Sequence, residues 1–140
     1  TASYIYAQDT LNESPIISIP PFNSTQRLNY SSQNKKWDFQ LSHHYVSKQN
    51  RFPDNNFNYS VIENGTFQSK LVDISSTPET YHKLDLIFSL YLNKFTKSGS
   101  QLRFFVQNIT NSDYRNYLNR MRYYASEIGR SFQIQLILNY

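Results

Sequence analysis

The chain has no cysteine. That excludes a disulfide framework, a thiolate zinc centre and a cysteine nucleophile. It also argues against a small secreted module held together by disulfides. No nucleophile elbow, phosphate-binding loop or metal-spaced cluster occurs, so the sequence points to no catalytic residues, no metal ligands and no cofactor. No apolar run reaches the roughly 18 residues that a spanning helix requires. Nothing at Thr1 looks like a signal peptide. Charge is sparse as well: 17% of residues are charged, with a net +4 and a pI near 9.3. The basic residues are scattered apart from one cluster near the C-terminus, so the excess is no argument for nucleic acid, and no nucleic-acid partner is expected.

What the chain has instead is aromatic side chains, 16% of the total, with 12 Tyr and 10 Phe in an otherwise polar sequence. Outer-membrane barrels combine these traits, because aromatics girdle both interfaces while lumen and loops stay polar.

Period-2 alternation, the mark of a strand between two different surroundings, recurs along the chain. It is strongest at the end, in 129–140. There Phe132, Ile134, Leu136, Leu138 and Tyr140 share a face against Ser131, Gln133, Gln135 and Asn139, with Ile137 the only break. The last residue is an aromatic at an apolar-face position, where a barrel strand finishes at an interface.

Earlier strands are expected over 1–7, 22–32, 37–51, 81–95 and 101–110. In 37–51, Trp37, Phe39, Leu41, His43 and Tyr45 oppose Asp38, Gln40, Ser42 and His44. In 81–95, His82, Leu84, Leu86, Phe88, Leu90 and Leu92 oppose Lys83, Asp85, Ser89 and Asn93. In 101–110, Leu102, Phe104 and Val106 oppose Arg103, Phe105 and Gln107. Polar turns are expected at 33–36 and 96–100. Long connections are expected at 8–21, 52–80 and 111–128, and a hairpin around Asn64-Gly65 is foreseen inside the second. The fold class is therefore all-β and antiparallel: about six strands, of about the length that crosses a bilayer at a tilt, with the short connections at one end and the long ones at the other.

Trp37, Tyr45 and Tyr140 are the expected membrane-interface aromatics. Phe39, Leu41, Leu84, Leu86, Phe88, Leu90, Phe104, Phe132, Ile134, Leu136 and Leu138 are the expected lipid-facing residues. His43 and His44 are adjacent on a strand and point to opposite faces, so they do not chelate one ion together; His82 reads as standing alone. Asp38 and Asp85 read as lumen carboxylates. Tyr114, Arg115, Tyr117, Arg120, Arg122, Tyr123 and Tyr124 form a basic-aromatic cluster in an exposed loop. Within it, Arg120, Arg122, Tyr123 and Tyr124 are the candidates for contact with an anionic extracellular ligand. The segment 112–128 also has helical spacing, with Ser112 as an N-cap and Gly129 as a stop, so a loop and a short helix both remain open.

The runs Leu102-Arg103-Phe104-Phe105-Val106-Gln107-Asn108-Ile109-Thr110-Asn111, Tyr114-Arg115-Asn116-Tyr117-Leu118 and Gly129-Arg130-Ser131-Phe132, with a closing aromatic, resemble the C-terminal end of TonB-dependent outer-membrane receptors. Pro15-Ile16-Ile17-Ser18-Ile19-Pro20-Pro21 is similar to the proline-rich loop ahead of a barrel strand in that family, and Tyr45–Arg51 to a strand-to-loop transition. The resemblance covers nearly the whole chain. It implies a barrel of about 22 strands closed by a plug, with residues 1–140 as its C-terminal portion and the plug and N-terminal strands lying outside this chain. It further implies a bacterial outer-membrane location, uptake of a scarce nutrient, and as partners outer-membrane lipid, the rest of the barrel and plug, and TonB acting through the plug. The alternative from the same alternation is a soluble all-β module, lipocalin-like or a sandwich, with its apolar faces turned inward around an apolar ligand.

Overall fold

A computed structural model describes residues 1–53, 56–72, 76–92 and 99–139. It is all-β and antiparallel. Among these residues eight strands follow one another: β1 (Ala2–Ser3), β2 (Asn23–Ser31), β3 (Trp37–Val46), β4 (Phe57–Glu63), β5 (Thr66–Val72), β6 (Tyr81–Tyr91), β7 (Gln101–Gln107) and β8 (Ser131–Ile137). Six form one sheet in the order β1-β2-β3-β6-β7-β8, and β4-β5 form a separate hairpin. The large sheet is open, with β1 at one edge and β8 at the other.

The alternating segments form the strands because each offers one apolar and one polar row to a pleated surface. The register then aligns those rows across strands. Leu28, Leu41, Leu86, Val106 and Phe132 make one row over five strands. Tyr30, Phe39, Phe88, Phe104 and Ile134 make the next, and Trp37, Leu90, Leu102 and Leu136 a third. Rings touch laterally along this face: Tyr30–Phe39 at 5.7 Å, Trp37–Phe88 at 6.0 Å and Phe88–Phe104 at 6.4 Å between centroids.

Several strands are shorter than expected, and the local hydrogen bonds show why. β3 ends at Val46 rather than 51 because side chains take over the backbone groups beyond it. The Lys48 amide donates to Thr80 Oγ1 at 3.0 Å, Gln49 Nε2 to the Ile19 carbonyl at 2.7 Å, and the Arg51 amide to Gln49 Oε1 at 3.0 Å. β7 ends at Gln107 because Asn108 turns into the left-handed region at φ 50°. The first strand shrinks to Ala2–Ser3. The hairpin foreseen around Asn64-Gly65 is longer than expected and fills much of the 52–80 connection. Asn64 (φ 53°) and Gly65 (φ 76°) supply the two positive φ values of a type I′ turn, whose twist matches the strands it joins. The six strands read from the sequence are those of the sheet, and the foreseen hairpin adds two more beside it.

Among the described residues, no other strand packs on either face of the sheet, and strands contact only their ladder neighbours. Among the described residues, Tyr117 is the only buried hydrophobic side chain. The chain exposes 10303 Å², against about 7,600 Å² for a compact globular protein of its mass. The sheet is a wall without a core of its own.

Candidate functional site: two faces and a loop end

The wall has two chemically different faces. Phe39, Leu41, Leu84, Leu86, Phe88, Leu90, Phe104, Phe132, Ile134 and Leu136 share one face by register, and Leu138 follows just past β8. On the central strands their neighbours half-cover them; on β8, Phe132 and Ile134 are 71% exposed. Trp37 and Tyr45 stand at opposite ends of this face on β3, Trp37 beside the short turn and Tyr45 beside the long connections. Tyr140 lies outside the described residues, as do Asn93 and residues 96–98 of the expected turn. Full burial of a Leu or Phe side chain is worth about 1.5–3 kcal/mol, and since most of these are already half-covered, the face offers on the order of 10 kcal/mol to whatever covers it.

The opposite face carries Arg27, Asn29, Asp38, Gln40, Ser42, His44, Lys83, Asp85, Ser89, Arg103, Gln133 and Gln135. Ile87 and Phe105 are apolar exceptions within it, paired with each other, and Val46, Tyr81, Tyr91 and Ile137 are others at its ends. Its best-connected group is Asp85. Oδ2 meets Lys83 Nζ at 3.0 Å and His44 Nε2 at 3.2 Å, while Oδ1 accepts from the Asn108 amide at 2.9 Å. With its oxygens so engaged, Asp85 serves as a structural anchor rather than a free carboxylate.

All three long connections lie at one end of the sheet, because β2 and β6 begin there and β3 and β7 end there. The 108–130 connection is built by asparagines. Asn108 is 1% exposed; its Nδ2 donates to the Ser112 carbonyl at 2.9 Å and its Oδ1 accepts from the Ser112 amide at 3.0 Å. Asn111, also left-handed at φ 53°, accepts from the Arg130 amide at 2.9 Å. A Cβ on Gly129 would lie 3.0 Å from that same Asn111 oxygen, which favours glycine ahead of Arg130.

The segment 112–128 is mostly irregular, with a single 3-10 turn over Arg120–Tyr123 capped by Asn119. Its anchor is Tyr117, 5% exposed. The Arg122 guanidinium lies over the Tyr117 ring at 4.6 Å and the Tyr123 ring at 4.5 Å, and donates to the Tyr117 carbonyl and the Tyr123 hydroxyl. Arg115 Nη1 donates to the Arg122 carbonyl at 2.9 Å. Arg115, Arg122 and Tyr123 line an open cleft of about 300 Å³ with Ser76, Thr77 and Pro78. The four expected contact residues are therefore divided. Arg122 and Tyr123 line the cleft, Arg120 and Tyr124 do not, and Arg115 takes a place that the four-residue expectation did not give it.

The Tyr114 ring packs against that of Tyr81, tilted by 30° with centroids 4.4 Å apart. Burial pushes the Tyr114 hydroxyl above the usual tyrosine range, Lys83 opposes the shift, and Glu127 and Asp85 add to it. An acid whose folded pKa is raised contributes stability below its unfolded pKa and loses it as pH rises through the folded value. We expect alkaline titration followed at 295 nm to show one fewer late-ionising tyrosine in Tyr114→Phe than in the parent; an unchanged late phase would contradict the assignment.

One of the three imidazoles departs from expectation. His44 is on the polar face, as the strand period requires, with Thr25 Oγ1 at 3.1 Å from its Nδ1. His82, read as solitary, is not: its Nδ1 lies 3.0 Å from His43 Nε2, and Gln26 Oε1 lies 2.6 Å from His43 Nδ1. The pairing arises from register between β3 and β6, which a single-strand pattern does not carry. Among the described residues, no group of three His, Asp or Glu side chains converges as a metal centre, and no helix is long and apolar enough to cross a membrane. Comparisons with protein-family models, with curated protein sequences and with solved structures return no match.

Proposed function

We propose that the chain is the C-terminal wall segment of a TonB-dependent receptor barrel in a bacterial outer membrane. The single observation carrying this reading is the uncovered apolar face, continuous over five strands, backed by a polar face. Exposed apolar area on this scale marks a surface that something else covers, and acyl chains suit a face with Trp37 near one end and Tyr45 near the other. β3 and β6, at 10 and 11 residues, match the roughly 9–11 residues of a tilted crossing strand. Further barrel strands would pair with the edges at β1 and β8, since backbone groups cannot stay unpaired in lipid. The polar face would line the lumen against the plug, and the 47–80 and 108–130 connections would meet the incoming nutrient outside. Energy for uptake would reach the plug through TonB. No step in this role calls for catalysis or a cofactor.

Trp37 is the only tryptophan, which makes the test direct. In vesicles, brominated lipid should quench Trp37 fluorescence, most strongly with bromines near the headgroups, and aqueous iodide should quench weakly. A monomeric, cooperatively folded chain in water without detergent, with Trp37 indifferent to lipid, would sink the proposal and favour the soluble binding module.

A further inference from the structure

The geometry points to a two-histidine site for a divalent transition-metal ion, formed by His43 and His82 across the β3–β6 ladder. It does not depend on the membrane reading, since it follows from register and side-chain chemistry alone. His82 sits directly opposite Tyr45, and His43 opposite Leu84, so the two imidazoles are diagonal neighbours on the same face. Their rings are nearly parallel, 9° apart with centroids at 5.3 Å, and the facing nitrogens are 3.0 Å apart.

Gln26 prepares one of the ligands. It lies directly across from His43 in β2, and its amide oxygen is 2.6 Å from Nδ1. An amide oxygen only accepts, so Nδ1 carries the hydrogen and Nε2 keeps the lone pair that faces His82. Metal-bound histidines are held in this way, with the second ring nitrogen donating to a carbonyl or carboxylate that fixes tautomer and orientation. His82 completes the pair by shifting its own hydrogen to Nε2, which frees Nδ1.

The spacing fits an ion. Metal–nitrogen bonds of about 2.0–2.1 Å at a tetrahedral centre place two nitrogens about 3.3 Å apart. The observed 3.0 Å needs only a few tenths of opening and a rotation of the rings. His43 is half-buried and His82 exposed, and both lie at the Tyr45 end of the face, so the rings can turn and water from the loop end can reach the remaining positions. Two imidazoles without carboxylates favour Cu²⁺, Ni²⁺ or Zn²⁺ over Mg²⁺ or Ca²⁺, which take oxygen ligands. The ion would clip β3 to β6 where the long connections begin, 5.0 Å from the Tyr45 ring to His82. Binding to the folded chain alone would raise its stability as free metal increases.

The full folded chain titrated with Cu²⁺ tests this by electron paramagnetic resonance. A single stoichiometric site with splitting from two nitrogens is expected. His82→Ala and His43→Ala should each lose the two-nitrogen signal, while His44→Ala, which alters the opposite face, should keep it. Gln26→Leu should keep both nitrogens and bind about 10–100-fold more weakly. If His82→Ala fails to fold, His82→Gln serves in its place, since an amide can hydrogen-bond His43 without offering an imidazole. No stoichiometric Cu²⁺ in the parent, a two-nitrogen signal surviving in the His82 variant, or its loss in His44→Ala would each overturn the proposal.

Discussion

Leu86→Arg is expected to destabilise the lipid-embedded chain by about 2–4 kcal/mol, the cost of a basic side chain near the bilayer midplane of a barrel wall. Leu86 lies at the centre of an apolar row five strands wide, between Leu41 and Val106. Its strand contacts are lateral, because among the described residues no other strand packs on that face. In water such a position carries little penalty, and an added charge would fall within about 0.5 kcal/mol of neutral. The environment therefore sets the size of the effect. Gln40→Arg is the control: the same substitution, on the polar face of β3, should be close to neutral in both media. Urea unfolding from lipid vesicles, followed by Trp37 fluorescence, measures the difference. A neutral Leu86→Arg in lipid would mean that acyl chains do not cover this face.

How much of this was legible in the sequence depends on the range of the interaction involved. Face assignment needs only a strand's own period, and Trp37 to Tyr45 and Leu84 to Leu90 fall where alternation puts them. The Asn64-Gly65 turn is equally local, since two consecutive positive φ values select that dipeptide. Strand ends were less legible. They depend on side chains from elsewhere, such as Thr80 and Gln49 competing for the backbone after Val46. The His43–His82 pair was illegible for a further reason. The partners are 39 residues apart, and a register slip of one would send one of them to the other face. The basic-aromatic cluster was visible as composition. Which of its arginines line the cleft depends on the 3-10 turn that aims Arg122 at Tyr117.

Asn108 joins the wall to the loop that carries that cleft, and Asn108→Ala should cost about 3–4 kcal/mol, from two lost hydrogen bonds to Ser112, a weaker one from Thr110 Oγ1 at 3.4 Å and a strained backbone. Its side chain both donates to and accepts from Ser112, at 2.9 and 3.0 Å, in a position that is 1% exposed. Truncation would leave the Ser112 amide and carbonyl without that partner in the folded state. Alanine would also have to hold φ at 50°, where an L side chain other than asparagine or aspartate is disfavoured. Asn108→Gly separates the two terms. It removes the same hydrogen bonds but accepts the left-handed conformation, so it should be the milder change by about 1 kcal/mol. Neither variant removes the backbone amide that bonds Asp85 Oδ1 at 2.9 Å, so the sheet should keep its Lys83–Asp85–His44 network. The loss should concentrate in the 108–112 turn, and amide exchange there should quicken before exchange in β6 or β7. Equal effects of alanine and glycine would remove backbone strain from this account. Unchanged exchange at Ser112 in both would show that Asn108 does not hold the loop to the wall.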